Sequence, residues 1–129
     1  MALRVLLMLG SNVDAARQLE AACARLRERF ELIAESGRHP SPAAGYTGAP
    51  AYLNQAVMIA TDLDPTALKL ALRAIETQLG RQRPNPEPQL CPIDIEALGR
   101  WQPDFVVWDA RDYGASYARG PLRDLGISD

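Results

Sequence analysis

The chain is poor in the residues that mark several large classes of function. It has two cysteines, Cys23 and Cys91, and no CxxC spacing. A structural zinc site needs that spacing, so the pattern points to a reduced, cytoplasmic protein without a disulfide frame. The single histidine, His39, has no neighbour in sequence that resembles a triad partner. Excess charge is missing as well. Fourteen basic residues face sixteen acidic ones, a formal net charge of -2, so nothing marks a nucleic-acid binder. The basic residues are almost all arginine, with Lys69 the one lysine. No apolar run approaches the roughly 20 residues of a membrane-spanning helix. The run from Met1 to Leu9 is short, has no basic leader and ends at Gly10-Ser11-Asn12, so it reads as a buried strand and not as a secretory signal. Internal repeats and linkers are not found. What is present is 129 residues, 47% of them apolar, which suits one domain over residues 1–129 with a single core.

Taken in order, Leu3 to Leu9 fits a central strand apolar on both faces. Ser11 or Asn12 is the expected cap of the next helix. From Asp14 to Phe30, the residues Leu19, Ala22, Cys23, Leu26 and Phe30 recur at helical spacing, with Arg17, Glu20, Arg25, Arg27 and Glu28 opposite. Glu31 to Gly37 reads as a second strand. The loop from Arg38 to Ala51, with Pro40, Pro42, Gly45, Gly48 and Pro50, is long for a small domain unless it serves a function. Tyr52 to Thr61 is a third strand in which Tyr52 and Asn54 share a face. A ring and an amide side by side suit a flat heterocycle with a polar edge, or an ordinary strand pair. Asp64-Pro65 starts the second helix, whose buried stripe is Leu68, Ala71, Leu72, Ile75 and Leu79. Glu76 lies beside the stripe and Gly80 ends the helix. Pro84, Pro86 and Pro88 exclude a helix between Arg81 and Cys91. Pro92 to Ala97 is the fourth strand, Phe105 to Trp108 a short strand or packing segment, and the remainder an irregular tail. Strand, helix, strand, strand, helix, strand is the ferredoxin-like order of an α+β fold. It predicts an antiparallel sheet with both helices on one face and the other face open to ligands.

The chemistry gathers between Glu76 and Glu96. Arg81 and Arg83 follow the glycine stop at alternate positions, and Asp94 and Glu96 alternate on the next strand. Two carboxylates on one face hold a hard cation such as Mg2+ through oxygen. Guanidinium groups opposite them bind phosphate in a bidentate way. Acid pair, basic loop and divalent metal together suggest phosphoryl transfer from a nucleotide. The same residues also suit a solvated surface, where exposed charge pairs contribute little.

Gly10-Ser11-Asn12, Tyr52-Leu53-Asn54, Glu76 with Gly80-Arg81-Gln82-Arg83, and Asp94-Ile95-Glu96 stand in the order and at nearly the spacing of 6-hydroxymethyl-7,8-dihydropterin pyrophosphokinases, a family of folate biosynthesis. The chain resembles that family from Met1 to about Leu98. The resemblance implies a ferredoxin-like fold, with ATP as co-substrate and two Mg2+ ions. It implies transfer of pyrophosphate to the hydroxymethyl group of a reduced pterin, with release of AMP. It places Ser41, Pro42, Ala44, Tyr52 and Asn54 in the pterin pocket, and Glu76, Arg81, Arg83 and Arg119 along the nucleotide. Arg81, Arg83 and Asp94 would be catalytic, and Asp94 and Glu96 would hold the metals.

The departures fall mostly on the nucleotide side. Pro88 and Cys91 stand where the family has tryptophan and arginine, and Glu96 stands for the second aspartate of an Asp-x-Asp pair. A register shifted by two puts Pro92 and Asp94 on that pair instead. The family's C-terminal His-Tyr pair has no histidine here, and Pro121 replaces its pterin-stacking aromatic. Two functions therefore stand side by side: an active pyrophosphokinase, and a pterin-binding or protein-interaction module that has lost catalysis. No membrane or nucleic-acid partner is expected, and oligomeric state is left open.

Overall fold

The computed structural model describes residues 2–43, 45 and 47–127. The strands are β1 (Leu3–Ser11), β2 (Glu31–Glu35), β3 (His39–Ser41), β4 (Tyr52–Thr61), β5 (Asp94–Trp101) and β6 (Phe105–Val107). The longer helices are α1 (Ala15–Arg29) and α2 (Pro65–Gln78). A C-terminal segment follows, with α3 (Ala110–Tyr113), a 3-10 turn (Ser116–Ala118) and α4 (Arg119–Asp124). The strands form one antiparallel sheet in the order β2-β4-β1-β5-β6, and β3 also pairs with β4. With β2 and β3 taken as one interrupted strand, this is the ferredoxin-like α+β arrangement, extended at one edge by β6.

The side-chain period of two explains why β1 is apolar throughout. Val5, Leu7 and Leu9 point into a core filled by Leu19, Ala22, Cys23 and Leu26 of α1 and by Leu68, Leu72 and Ile75 of α2. Leu6 and Met8 point the other way, into a second core with Ala56, Leu98, Ala118 and Leu122. Trp101, Phe105, Tyr113 and Tyr117 pack around this second core. The expected open face is thus only partly open. It is partly covered by residues read from sequence as an irregular tail, which form short helices: α3 lies against β5, the 3-10 turn against β3 and β4, and α4 against β4. Helices of four and six residues are too short to show a period, so tertiary packing alone defines them.

Helix ends follow from local chemistry. Asp64 caps α2, its carboxylate accepting from Ala67 N at 2.8 Å, with Pro65 first in the helix. At the other end Gly80 adopts φ +100°, Gly80 N donates to Thr77 O, and Arg81 N donates to Glu76 O. This is a Schellman closure, and it aims Arg81 back toward the sheet. Neither Ser11 nor Asn12 caps α1; Asp14 occupies that position without a side-chain bond. Ser11 Oγ donates to Val13 O instead. Asn12 Nδ2 donates to Gln89 O at 2.9 Å and Pro50 O at 3.3 Å, and its Oδ1 accepts from Cys91 N at 2.6 Å. Asn12 therefore ties two proline-rich loops to the end of β1. The expected second strand, Glu31 to Gly37, ends at Glu35. The fourth runs from Asp94 to Trp101, later and longer than Pro92 to Ala97, because it must reach far enough to pair with β6.

Candidate active site

Strand register places the site. Asn54 of β4, Gly10 of β1 and Asp94 of β5 are direct neighbours across the sheet, and Ala56, Met8 and Glu96 form the next row. Ile93 and Ile95 are taken by the helix-side core, which turns Asp94 and Glu96 to the opposite face. Gly10 is the floor between Asn54 and Asp94. A Cβ there would lie 3.3 Å from Asn54 Oδ1 and 3.6 Å from the Tyr52 ring. Above this floor is a cleft of about 360 Å3 lined by Ser41, Pro42, Tyr52, Asn54, Arg81, Cys91, Asp94, Glu96, Asp112 and Tyr117, among others.

One end of the cleft is polar and neutral. Asn54, buried, donates through Nδ2 to His39 O at 3.0 Å and Ser41 Oγ at 2.8 Å. These bonds fix the amide orientation and leave its oxygen toward Gly10 and the cleft. Tyr52 stays a neutral phenol, pushed up to about 12 chiefly by burial, with Cys91 and Asp94 adding to it.

The other end is acidic. Glu96, Asp109 and Asp112 each offer a carboxylate oxygen within 4.8 Å of the others. Burial, then Asp94 and Glu76, push Glu96 up to about 7. Asp94 is raised by burial and by Glu76, against the pull of Arg81, and Asp112 is raised by burial. Such a cluster is short of positive charge. Oxygen donors at this spacing suit a hard divalent cation, which would keep all of them ionised. Arg81 lies beside them, its Nη1 2.9 Å from Ile93 O, 3.2 Å from Cys91 Sγ and 3.4 Å from Asp94 Oδ1.

Of the residues expected from sequence, Ser41, Pro42, Tyr52, Asn54, Arg81, Asp94 and Glu96 share this one cleft. Ala44 lies outside the described residues. Glu76 and Arg83 do not line the cleft. Glu76 is 1% exposed beneath it, accepting from Ile95 N at 2.7 Å, between the two strand carboxylates. Arg83 Nη2 lies 2.9 Å from Glu76 Oε1, a contact not aligned as a hydrogen bond. Arg119 is exposed on α4, away from the lining. Sequence reading missed Asp109, Asp112 and Tyr117. Their signal was local: Asp109 caps α3 by accepting from Asp112 N at 3.0 Å, an acid pair three residues apart at a helix start. The Tyr117 hydroxyl donates to Asp112 Oδ1 at 2.5 Å.

Residues 6–124 match the family model of 7,8-dihydro-6-hydroxymethylpterin-pyrophosphokinase (HPPK). The chain belongs to the HPPK family. The family binds a pterin and ATP as small-molecule substrates in folate biosynthesis, and an HPPK member is in general a transferase of the kinase type. No curated protein matches this chain. A solved structure described as an unknown protein from Galdieria sulphuraria shares 17% identity with it at a TM-score of 0.45. The match covers 82% of this HPPK-family chain and 51% of that one, so the chain spans about half of that protein's length. Among the described residues no helix is long and apolar enough to cross a membrane.

Proposed function

We propose that this chain transfers pyrophosphate from ATP to the hydroxymethyl group of 6-hydroxymethyl-7,8-dihydropterin, in the cytoplasm, as one domain. The observation that carries the reading is the polarity of the cleft: a neutral amide–phenol end and a carboxylate–arginine end on one sheet face. The pterin ring lies against Tyr52, its polar edge read by Asn54, beside Ser41 and Pro42. This aims its hydroxymethyl group along the Gly10 floor toward Asp94. The hydroxyl oxygen bonds to the β-phosphorus of ATP as the bond from that phosphorus to the oxygen bridging to the α-phosphate breaks; AMP leaves with the electron pair on that oxygen, and the hydroxyl proton is released to water.

Asp94 and Glu96, with Asp109 and Asp112 beside them, would hold Mg2+. Bound there, the ions would neutralise phosphate charge. Arg81 faces the same phosphates and stabilises charge that grows during transfer. Glu76 and Arg83 act from beneath by fixing the backbone between Asp94 and Glu96. Arg119 would reach the nucleotide from outside the cleft. The scaffold's main contribution is positioning.

A second reading, a pterin-binding module without catalysis, has one observation in its favour. Arg81 and Arg83 are already engaged by protein groups. Calorimetry separates the two. Binding of the reduced pterin and of a non-hydrolysable ATP analogue with Mg2+ supports the transferase. Pterin binding alone supports the module, and binding of neither removes both.

A further inference from the structure

His39 joins two parts of the molecule that meet at the cleft. Its carbonyl accepts from Asn54, and its strand position pairs with Asn54 directly. Its ring points away from the cleft to α4, where Nε2 lies 2.7 Å from Asp124 Oδ2. The same carboxylate oxygen accepts from Gly37 N at 2.9 Å, so Asp124 binds the chain on both sides of Arg38. The ring also packs on Gly120 so closely that a Cβ there would lie 2.5 Å from His39 Nδ1 and 2.9 Å from Cε1. Gly120 comes three residues after Tyr117, which lines the cleft and is bonded to Asp112.

We propose that His39 is a positioning residue for the pterin end of the cleft, holding the C-terminal segment with Tyr117 and Asp112 in register with Asn54. This rests on the pterin reading above for its ligand, but its mechanical half does not. The three groups that meet at the ring make it testable from either side. His39→Ala removes the bond to Asp124. His39→Gln keeps an amide donor near the position of Nε2. Gly120→Ala, which in an ordinary helix stabilises, here drives a methyl group into the ring and displaces it.

The test has two arms, with urea unfolding used to choose conditions where every variant is folded. Trypsin cuts after Arg111, Arg119 and Arg123, all in the C-terminal segment. His39→Ala and Gly120→Ala should be cut there several-fold faster than wild type, and His39→Gln at close to the wild-type rate. In calorimetry with 6-hydroxymethyl-7,8-dihydropterin, the same two variants should bind several-fold more weakly, and in turnover KM for the pterin should rise by a larger factor than kcat falls. Wild-type cleavage rates in both variants would overturn the proposal, as would faster cleavage with unchanged pterin affinity. If wild type binds no pterin, the functional reading falls, and the trypsin arm alone decides whether His39 holds the segment.

Discussion

The pair beneath the cleft allows a quantitative test. Glu76 is 1% exposed, with one oxygen on Ile95 N at 2.7 Å and the other 2.9 Å from Arg83. Arg83→Ala leaves a buried carboxylate with a single donor. Removing one member of a fully buried pair costs about 3–5 kcal/mol. The Arg83 side chain is 37% exposed, so water can enter the vacated space, and the Ile95 amide stays. Discounting for both gives about 2 kcal/mol. In urea, with a slope of about 2 kcal/mol/M, the midpoint should fall by about 1 M. Adding Glu76→Gln to Arg83→Met should recover at least half of that, because a neutral pair leaves no stranded charge. A midpoint for Arg83→Ala within about 0.2 M of wild type would mean that Glu76 does not depend on Arg83. Combined with weaker binding of an ATP analogue, it would show that Arg83 turns outward to phosphate.

Three further outcomes are expected. Glu96 sits at about 7 in the fold, above its ordinary 4.5. The folded state therefore holds this proton where the unfolded chain has lost it, and stability falls as pH rises from about 4.5 through 7. Thermal melting without metal should show that decline, Mg2+ at pH 8 should reverse it, and Glu96→Gln should flatten it; a profile unchanged in Glu96→Gln would sink the assignment. Asn54→Leu removes the donor to His39 O and Ser41 Oγ. It should cost about 1–3 kcal/mol in urea unfolding and abolish pterin binding, and retained binding would take Asn54 out of the site. Gly99→Ala would place a Cβ 2.4 Å from Val106 O and 2.5 Å from the Phe105 ring. It should lower stability by about 2 kcal/mol or more by parting β5 from β6, and a neutral result would mean β6 is not paired there.

What could be read from sequence follows how local its cause is. The stripe Leu19-Ala22-Cys23-Leu26, the Asp64-Pro65 start and the Gly80 stop all arise within a turn or two of helix, and each forms where expected. Seven of the expected site residues share one cleft because the strand period put Tyr52 with Asn54 and Asp94 with Glu96. Other features depend on distant partners. β3 is three residues, His39–Ser41, with a proline in its middle, and exists only because β4 offers an edge. Asn12 looked like a helix cap, but the loop backbones at Gln89 and Cys91 compete for its amide. Arg83 alternates with Arg81 as an extended chain requires, yet a buried carboxylate claims it. Asp109 and Asp112 join Glu96 through contacts with other elements: Trp108 N and Asp109 N donate to Leu98 O of β5, and Tyr117 donates to Asp112.

If one cleft serves the pterin and the nucleotide together, AMP release reports it. With ATP, Mg2+ and 6-hydroxymethyl-7,8-dihydropterin, the protein should form AMP at a rate that requires all three. Asp94→Asn, still folded, should lose it. AMP formation that is absent in wild type, or that survives Asp94→Asn unchanged, would mean that this cleft does not carry the transfer.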